Sequence, residues 1–149
     1  MIRFRTATEA DVPAVVALLT DDILGAQREL DGMAAYLAAF RRMQDEAANH
    51  LIVAEENGRI VGTYQITFIS GLSLRAAQRA QVESVRVASD QRGRGIGAAM
   101  MRDAEDRARA AGCSLLQLTT NRTRADAHRF YERLGFTPSH IGYKRDLNR

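Results

Sequence analysis

The stretch "VESVRVASDQRGRGIGAAM", residues 82–100, reads as a strand that runs out into glycines and then turns directly into a helix. Gly93, Gly95 and Gly97 alternate with Arg94 and Ile96, and Ile96 and Met100 begin a helical spacing of apolar side chains continued by Ala104 and Ala108. Backbone N–H groups at a helix start have no partner within the helix, and the positive end of the helix dipole lies there. Glycine permits positive φ and lets an anion approach the main chain closely. A strand, a glycine loop and a helix in that order make an anion site, and phosphate is the anion it suits best.

Working outward, "LIVAEENGRIVGTYQITFI" (51–69) is the clearest β signal. Two β-rich runs flank Asn57-Gly58, the pair suited to a type I′ hairpin turn. On strand alternation, Val82 and Ser84 face one way and Glu83, Val85 and Val87 the other. The chain opens with a strand near Ile2 to Arg5. Thr8 and Asp11 then stand at capping-box spacing ahead of Val12, Val15, Val16 and Leu19, a helix with one apolar stripe. Residues 21–31 read as an acidic loop with Asp21, Asp22, Glu29 and Asp31, and a second helix is expected from Leu30 to Ala47. Downstream, the helix after the glycines is expected to pair Asp103 with Arg107 at i,i+4. "SLLQLTT" (114–120) reads as a buried strand. "TRADAHRFYERLGF" (123–136) reads as a helix with Thr123 and Asp126 at capping-box spacing and Gly135 as its stop. "IGYKRDL" (141–147) reads as a last strand. This order is not a strict βαβ alternation, so the expectation is a mixed α/β domain and not a purely parallel sheet.

Composition narrows the class. At 149 residues the chain is read as a single domain with a real core. No apolar run approaches the roughly 20 residues needed to span a bilayer, and residues 1–16 lack the apolar segment of a secretory signal. Cys113 is alone, so no internal disulfide forms. The expectation is a cytoplasmic protein with no membrane partner. Lys144 is the only lysine, and the arginines behind the +3 net charge are interspersed with acids, as in "RDAEDRAR" (102–109). A nucleic-acid surface needs clustered positive charge, so no nucleic-acid partner is expected.

Three phosphate readings compete at residues 92–97. A P-loop needs Lys-Ser/Thr opening the helix, and Ala98 and Ala99 stand there instead. Gly93, Gly95 and Ala98 satisfy a dinucleotide fingerprint literally. That reading needs an acid about 20 residues on, at the end of the next strand, to hold a ribose. Here the strand ends "QLTTNR", without one. The third reading is an acyl-coenzyme A pyrophosphate.

Read as R-x-x-G-x-G, residues 92–97 resemble the coenzyme A loop of the GNAT superfamily of N-acetyltransferases. "AHRFYERLGF" (127–136) is similar to that family's A-x-x-F-Y-x-x-x-G-F signature, "VESVRVASD" (82–90) to its central strand, and "IRFRTATEADVPAVVALL" (2–19) to its first strand and helix. The resemblance spans the whole chain. It implies a GNAT-like mixed sheet, mostly antiparallel, flanked by helices and splayed between strands 4 and 5. It implies acetyl-coenzyme A as co-substrate, with the pyrophosphate on the backbone of Arg92, Gly93, Arg94, Gly95, Ile96 and Gly97. The pantetheine arm would run along Val85 and Val87, Asn121 would supply a polar contact, and Tyr131 would lie near the thioester sulfur. The partner implied is a small-molecule or peptide amine. Dimerisation, common in the family, leaves a homodimer open.

The chemistry suits these residue types. An alkylammonium, with a pKa of about 10, must lose a proton before it can attack a thioester. A carboxylate can take that proton directly or through water, and Glu83 is the candidate base; a fixed carboxylate that only anchors substrate is the competing role. The leaving thiolate benefits from a nearby phenol, and Tyr131 is the candidate acid. No metal is required, and no His/Cys/Asp spacing resembles a metal site. Cys113 reads as a structural thiol, because a nucleophilic cysteine needs an adjacent base. The reading from another class is a non-catalytic acyl-coenzyme A sensor on the same fold.

Overall fold

The computed structural model describes residues 1–20 and 32–148. The acidic loop expected at 21–31 lies outside the described residues. Two compact units divide the chain, Met1–Gln117 and Leu118–Arg149.

The first unit carries most of a five-stranded sheet ordered β1-β2-β3-β4-β5: β1 Arg3–Thr6, β2 Asn49–Glu56, β3 Arg59–Ile69, β4 Arg79–Val87 and β5 Leu115–Leu118. Strands β1 to β4 pair antiparallel. Ser114 N–H bonds the Gln78 carbonyl at 2.9 Å, and Gln117 Nε2 donates to Gln81 Oε1 at 2.6 Å. Partner numbers rise together along this pair, so β5 runs parallel to β4. Helices α1 (Val12–Leu19), α2 (Met33–Asp45) and α3 (Ile96–Ala110) are the longer helices of the unit among the described residues. This is the mixed, mostly antiparallel α+β architecture that the sequence implies.

Period-2 alternation sends each strand's side chains to two faces. One core comprises Val12, Val15 and Val16 of α1, Phe40 of α2 and Val53 of β2. On the other face Ile52, Ala54, Tyr64, Ile66 and Val82 are buried, and α3, packed on β3 and β4, buries Ile96, Met100, Met101, Ala104 and Ala108. Each valine, isoleucine or methionine side chain among them contributes roughly 1.5–3 kcal/mol when fully buried. A polar tie crosses this second core. Tyr64 Oη donates to Asp103 Oδ2 at 2.6 Å, and Arg107 Nε donates to the same oxygen at 2.8 Å. Burial, reinforced by the Asp103 carboxylate, pushes the Tyr64 phenol pKa well up, so it stays a donor. The expected i,i+4 pair is thus present, with a third partner.

Several expectations need correction. The simple alternation of β4 fails at Ser84. Gln65 pairs with Glu83 and Thr63 with Arg86, so Ser84 and Val85 together face Tyr64, and Ser84 takes φ 55°. This is a β-bulge, and the extra residue reverses the facing of the residues after it. Val82 pairs with Ile66 and Val87 with Gly62, both on the α3 face. Glu83 therefore lies on the α1 and α2 face, opposite to Val85 and Val87. Strand β5 is not buried: Leu115 is 44% exposed. The second helix ends at Asp45, short of Ala47, which takes a positive φ of 45°; the expected start at Leu30 lies outside the described residues.

The second unit holds α4, Ala125–Arg133. Its start is not the expected capping box. Asn121 Oδ1 accepts from the Thr123 N–H (3.0 Å) and hydroxyl (2.7 Å), and Asp126 binds Arg129, so Thr123 is spent on a turn before the helix. The stop is as expected, with Gly135 at φ 95° and the Phe136 N–H returning to the Tyr131 carbonyl at 3.1 Å. "IGYKRDL" is not a strand. Ile141, Tyr143 and Leu147 are 80–90% exposed, and a strand-like pattern without a ladder partner does not make a strand.

Candidate active site

The glycine loop joins two anchored points. Ala88 is buried, and its N–H bonds the Val61 carbonyl at 2.9 Å; Ile96, first residue of α3, is buried at the other end. Between them residues 92–95 are exposed. Gly93 and Gly95 have φ of 81° and 77°, and a Cβ placed on either would meet nothing within 4 Å. Both glycines are therefore required by conformation, and the space above them is open. The first main-chain bond of α3 runs from Ala99 N–H to the Gly95 carbonyl, so the amides of Ile96, Gly97 and Ala98 are the unpaired first turn that an anion can occupy.

Side chains of the β2–β3 hairpin hold the loop from one side. Arg94 donates Nη1 and Nη2 to Glu56 Oε1 and Oε2 at 2.9 and 3.0 Å, and Nη1 also reaches Gln91. Arg59 makes a second bidentate pair with Asp90, at 2.9 and 2.8 Å. Each pair lowers the carboxyl pKa of its acid, chiefly through the hydrogen bonds of the arginine. These residues were not legible as a group, because the partners lie 31 and 38 positions apart.

Upstream, the edge of β4 is open where the site needs it. Ala88 turns its N–H toward β3, so by strand alternation Arg86 does the same, while Val85 and Val87 turn their main-chain groups away. Gln117 stands level with Gln81, and β5 ends at Leu118, one residue further on. β4 continues through Val87, past the reach of its neighbour. The result is a stretch of β4 edge, at Val85 and Val87, that β5 does not cover. It exposes main chain with which an extended ligand can pair as an added strand.

Glu83 is exposed on β4 and forms no ion pair among the described residues. Arg86 donates to the Val85 carbonyl at 3.0 Å and does not neutralise it. Glu83 pairs in register with Gln65, whose Nε2 donates to Asn49 Oδ1 at 2.9 Å, and Thr67 donates to the same oxygen at 3.3 Å. The sheet thus offers a strip of carboxamides and a hydroxyl, with one unneutralised carboxylate on it.

In the second unit, Tyr131 lies on the partly buried face of α4 with Ala127, Phe130 and Leu134, as helical spacing predicts. Its ring meets Phe130 at 5.0 Å and Phe136 at 5.7 Å, both edge to face. Asn121 has its Oδ1 committed to Thr123, so its side-chain amide N–H groups are what it can offer a ligand. His128 Nε2 is 2.9 Å from the Asn121 carbonyl and helps fix that turn. Desolvation raises the Cys113 thiol pKa, in keeping with a structural role. Among the described residues no group of His, Cys, Asp and Glu is placed to hold a metal, and no helix is long and apolar enough to cross a membrane.

Known proteins resemble this chain in sequence and fold. Residues 16–136 match the acetyltransferase (GNAT) family model. The chain is 34% identical over 146 residues to the aminoalkylphosphonate N-acetyltransferase of Salmonella typhimurium, covering 96% of this chain and 90% of that protein. It is 42% identical over 59 residues to the streptothricin acetyltransferase of Streptomyces lavendulae, a match covering 40% of this chain and 31% of that one. A solved structure described as a transcriptional regulator from Bacillus halodurans C-125 superposes with a TM-score of 0.91 at 42% identity, covering 99% of this chain and 100% of the other.

Proposed function

The chain belongs to the acetyltransferase (GNAT) family and is an acyltransferase, and we propose that it moves acetyl from acetyl-coenzyme A to a primary amine by direct attack in a ternary complex. The observation that carries this reading is the continuity of the β4 edge with the glycine loop. A strand edge open at Val85 and Val87 leads, without a break in the chain, into a helix start with unpaired amides. That geometry suits an extended amide-bearing arm ending in a pyrophosphate.

The residues fit the group. Open space over Gly93 and Gly95 leaves room for phosphate oxygens, and the amides of 96–98 supply donors. Arg92 to Gly97 bind through their backbone, Val85 and Val87 pair with the pantetheine arm, and Asn121 offers an amide donor. Bound acetyl-coenzyme A supplies an activated acyl carbon and a thiol leaving group. The Val85 N–H, turned away from β3, is the donor for the carbonyl oxygen. An oriented donor there stabilises the negative charge that develops on attack. Glu83 takes the ammonium proton, through water given its exposure, and Tyr131 donates to the departing sulfur.

The loop assignment is checked by Gly95→Val. At φ 77° a β-branched residue is strained, and its methyl groups enter the space kept open for phosphate. Coenzyme A binding, measured by titration calorimetry, is expected to weaken about tenfold or more, since phosphate approach depends on a bare backbone. A correctly folded Gly95→Val protein with wild-type affinity refutes the assignment.

The acceptor is best sought with a panel of amines, following free thiol release from acetyl-coenzyme A. Aminoalkylphosphonates come first because of the Salmonella relative; amino acids, polyamines, aminoglycosides and peptide amines come after them. Turnover of at least one amine supports the transferase reading. Tight coenzyme A binding with no turnover across the panel favours the sensor.

A further inference from the structure

The loop that meets the pyrophosphate in this reading is tied to the β2–β3 hairpin by side chains. A cavity of about 630 Å³ separates α1 from the hairpin tip and the start of the loop, lined by Ala14, Leu18, Gly58, Arg59, Ser89 and Asp90. Among the described residues, packing against α1 therefore does not brace the start of the loop, at Ser89 and Asp90. Two bidentate ion pairs do: Arg59 to Asp90 where the loop begins, and Glu56 to Arg94 between the two positive-φ glycines. Both hairpin partners flank the tight Asn57-Gly58 turn, with φ of 52° and 79°, which fixes their separation. Planar guanidinium–carboxylate pairs hold orientation as well as distance.

We infer that Glu56 and Arg59 are positioning residues for coenzyme A, acting as struts from the β2–β3 hairpin that hold the 89–95 loop in its phosphate-accepting shape. On this view Arg94 serves the ligand through its backbone, and its guanidinium belongs to the protein. The inference rests on the acetyl-coenzyme A reading but makes a claim of its own. If the Arg94 guanidinium were a phosphate ligand restrained by Glu56, removing Glu56 would free it and tighten binding. If it is a strut, removing Glu56 loosens the loop and weakens binding. The two accounts differ in sign.

The experiment titrates Glu56→Gln and Arg59→Ala with coenzyme A by calorimetry, and tracks amide hydrogen exchange across residues 89–97 in the ligand-free proteins. Each variant is expected to raise the coenzyme A Kd about fivefold, the scale of an exposed ion pair, and to speed exchange within the loop while leaving β3 protected. Exchanging the charges, Arg59→Asp with Asp90→Arg, is expected to restore both readouts, which separates a strut from a general loss of stability. Unchanged or tighter binding by Glu56→Gln with unchanged exchange overturns the inference. Failure of the wild-type protein to bind coenzyme A overturns the function reading instead, and the strut claim then stands or falls on the exchange rates.

Discussion

Glu83→Gln is expected to lower kcat by roughly 10² or more, within the usual range for loss of a general base. The substitution keeps the shape of the side chain and its place on β4 but cannot accept a proton. Glu83 is exposed, carries no ion pair among the described residues, and pairs in register with Gln65, whose side chain bonds Asn49. In the proposed reaction a carboxylate so placed takes the proton of an ammonium through one water. The pH profile tests the role directly. An alkylammonium with a pKa of about 10 supplies little free amine at pH 7 and tenfold more with each unit of rising pH up to that value. The deficit of the variant should therefore shrink toward pH 9–10, where free amine needs no base. A defect confined to the acceptor KM, with kcat intact at saturation, would make the carboxylate an anchor for the cationic substrate.

The bulge at Ser84 bears on this assignment. From alternation alone Glu83 shares a face with Val85 and Val87, as if one side chain row served both acceptor and cofactor. The register places them on opposite faces. Glu83 faces the side covered by α1 and α2, while Val85 and Val87 present their main chain at the strand edge. In the proposed reaction one strand would serve two substrates, with side chain for one and backbone for the other. Nothing in "VESVRV" announces the bulge, because a positive φ at serine is a tertiary outcome with no local signal. The glycine loop, in contrast, was legible because its physics is local: Gly93 and Gly95 need positive φ, and Ile96, Met100, Ala104 and Ala108 define the helix within a few turns. The Asn57-Gly58 turn was legible for the same reason. The ion pairs of Glu56 and Arg59 were not, since only the folded hairpin brings them to the loop. "IGYKRDL" misled in the other direction, because period 2 marks the ability to pair and not the presence of a partner. The left-handed turn at Leu74, Arg75 and Ala76, with φ of 53°, 61° and 60°, likewise has no glycine to signal it.

Tyr131→Phe is expected to lower kcat by roughly 10- to 100-fold, toward the modest end of general-acid effects, while leaving coenzyme A affinity within a few-fold. The argument begins with packing. The Tyr131 ring is held edge-on by Phe130 and Phe136, with centroids 5.0 and 5.7 Å away, and a phenylalanine ring keeps both contacts. The helix stop is tied to the same residue, since the Phe136 N–H returns to the Tyr131 carbonyl and Gly135 takes the left-handed turn. Those main-chain features do not depend on the hydroxyl, so α4 should form in the variant as in the parent. What the substitution removes is one O–H donor. A phenol, with a pKa of about 10 in water, is protonated at neutral pH, whereas a thiol has a pKa of about 8.5. In the proposed reaction donation would therefore help the sulfur leave without requiring an unusual acid, and its loss would cost less than loss of the base. A leaving group of lower thiol pKa needs less help, so an activated thioester donor is expected to narrow the difference between variant and parent. With chemistry shown to limit turnover, an unchanged kcat in the purified Tyr131→Phe protein would reduce Tyr131 to the aromatic packing of α4.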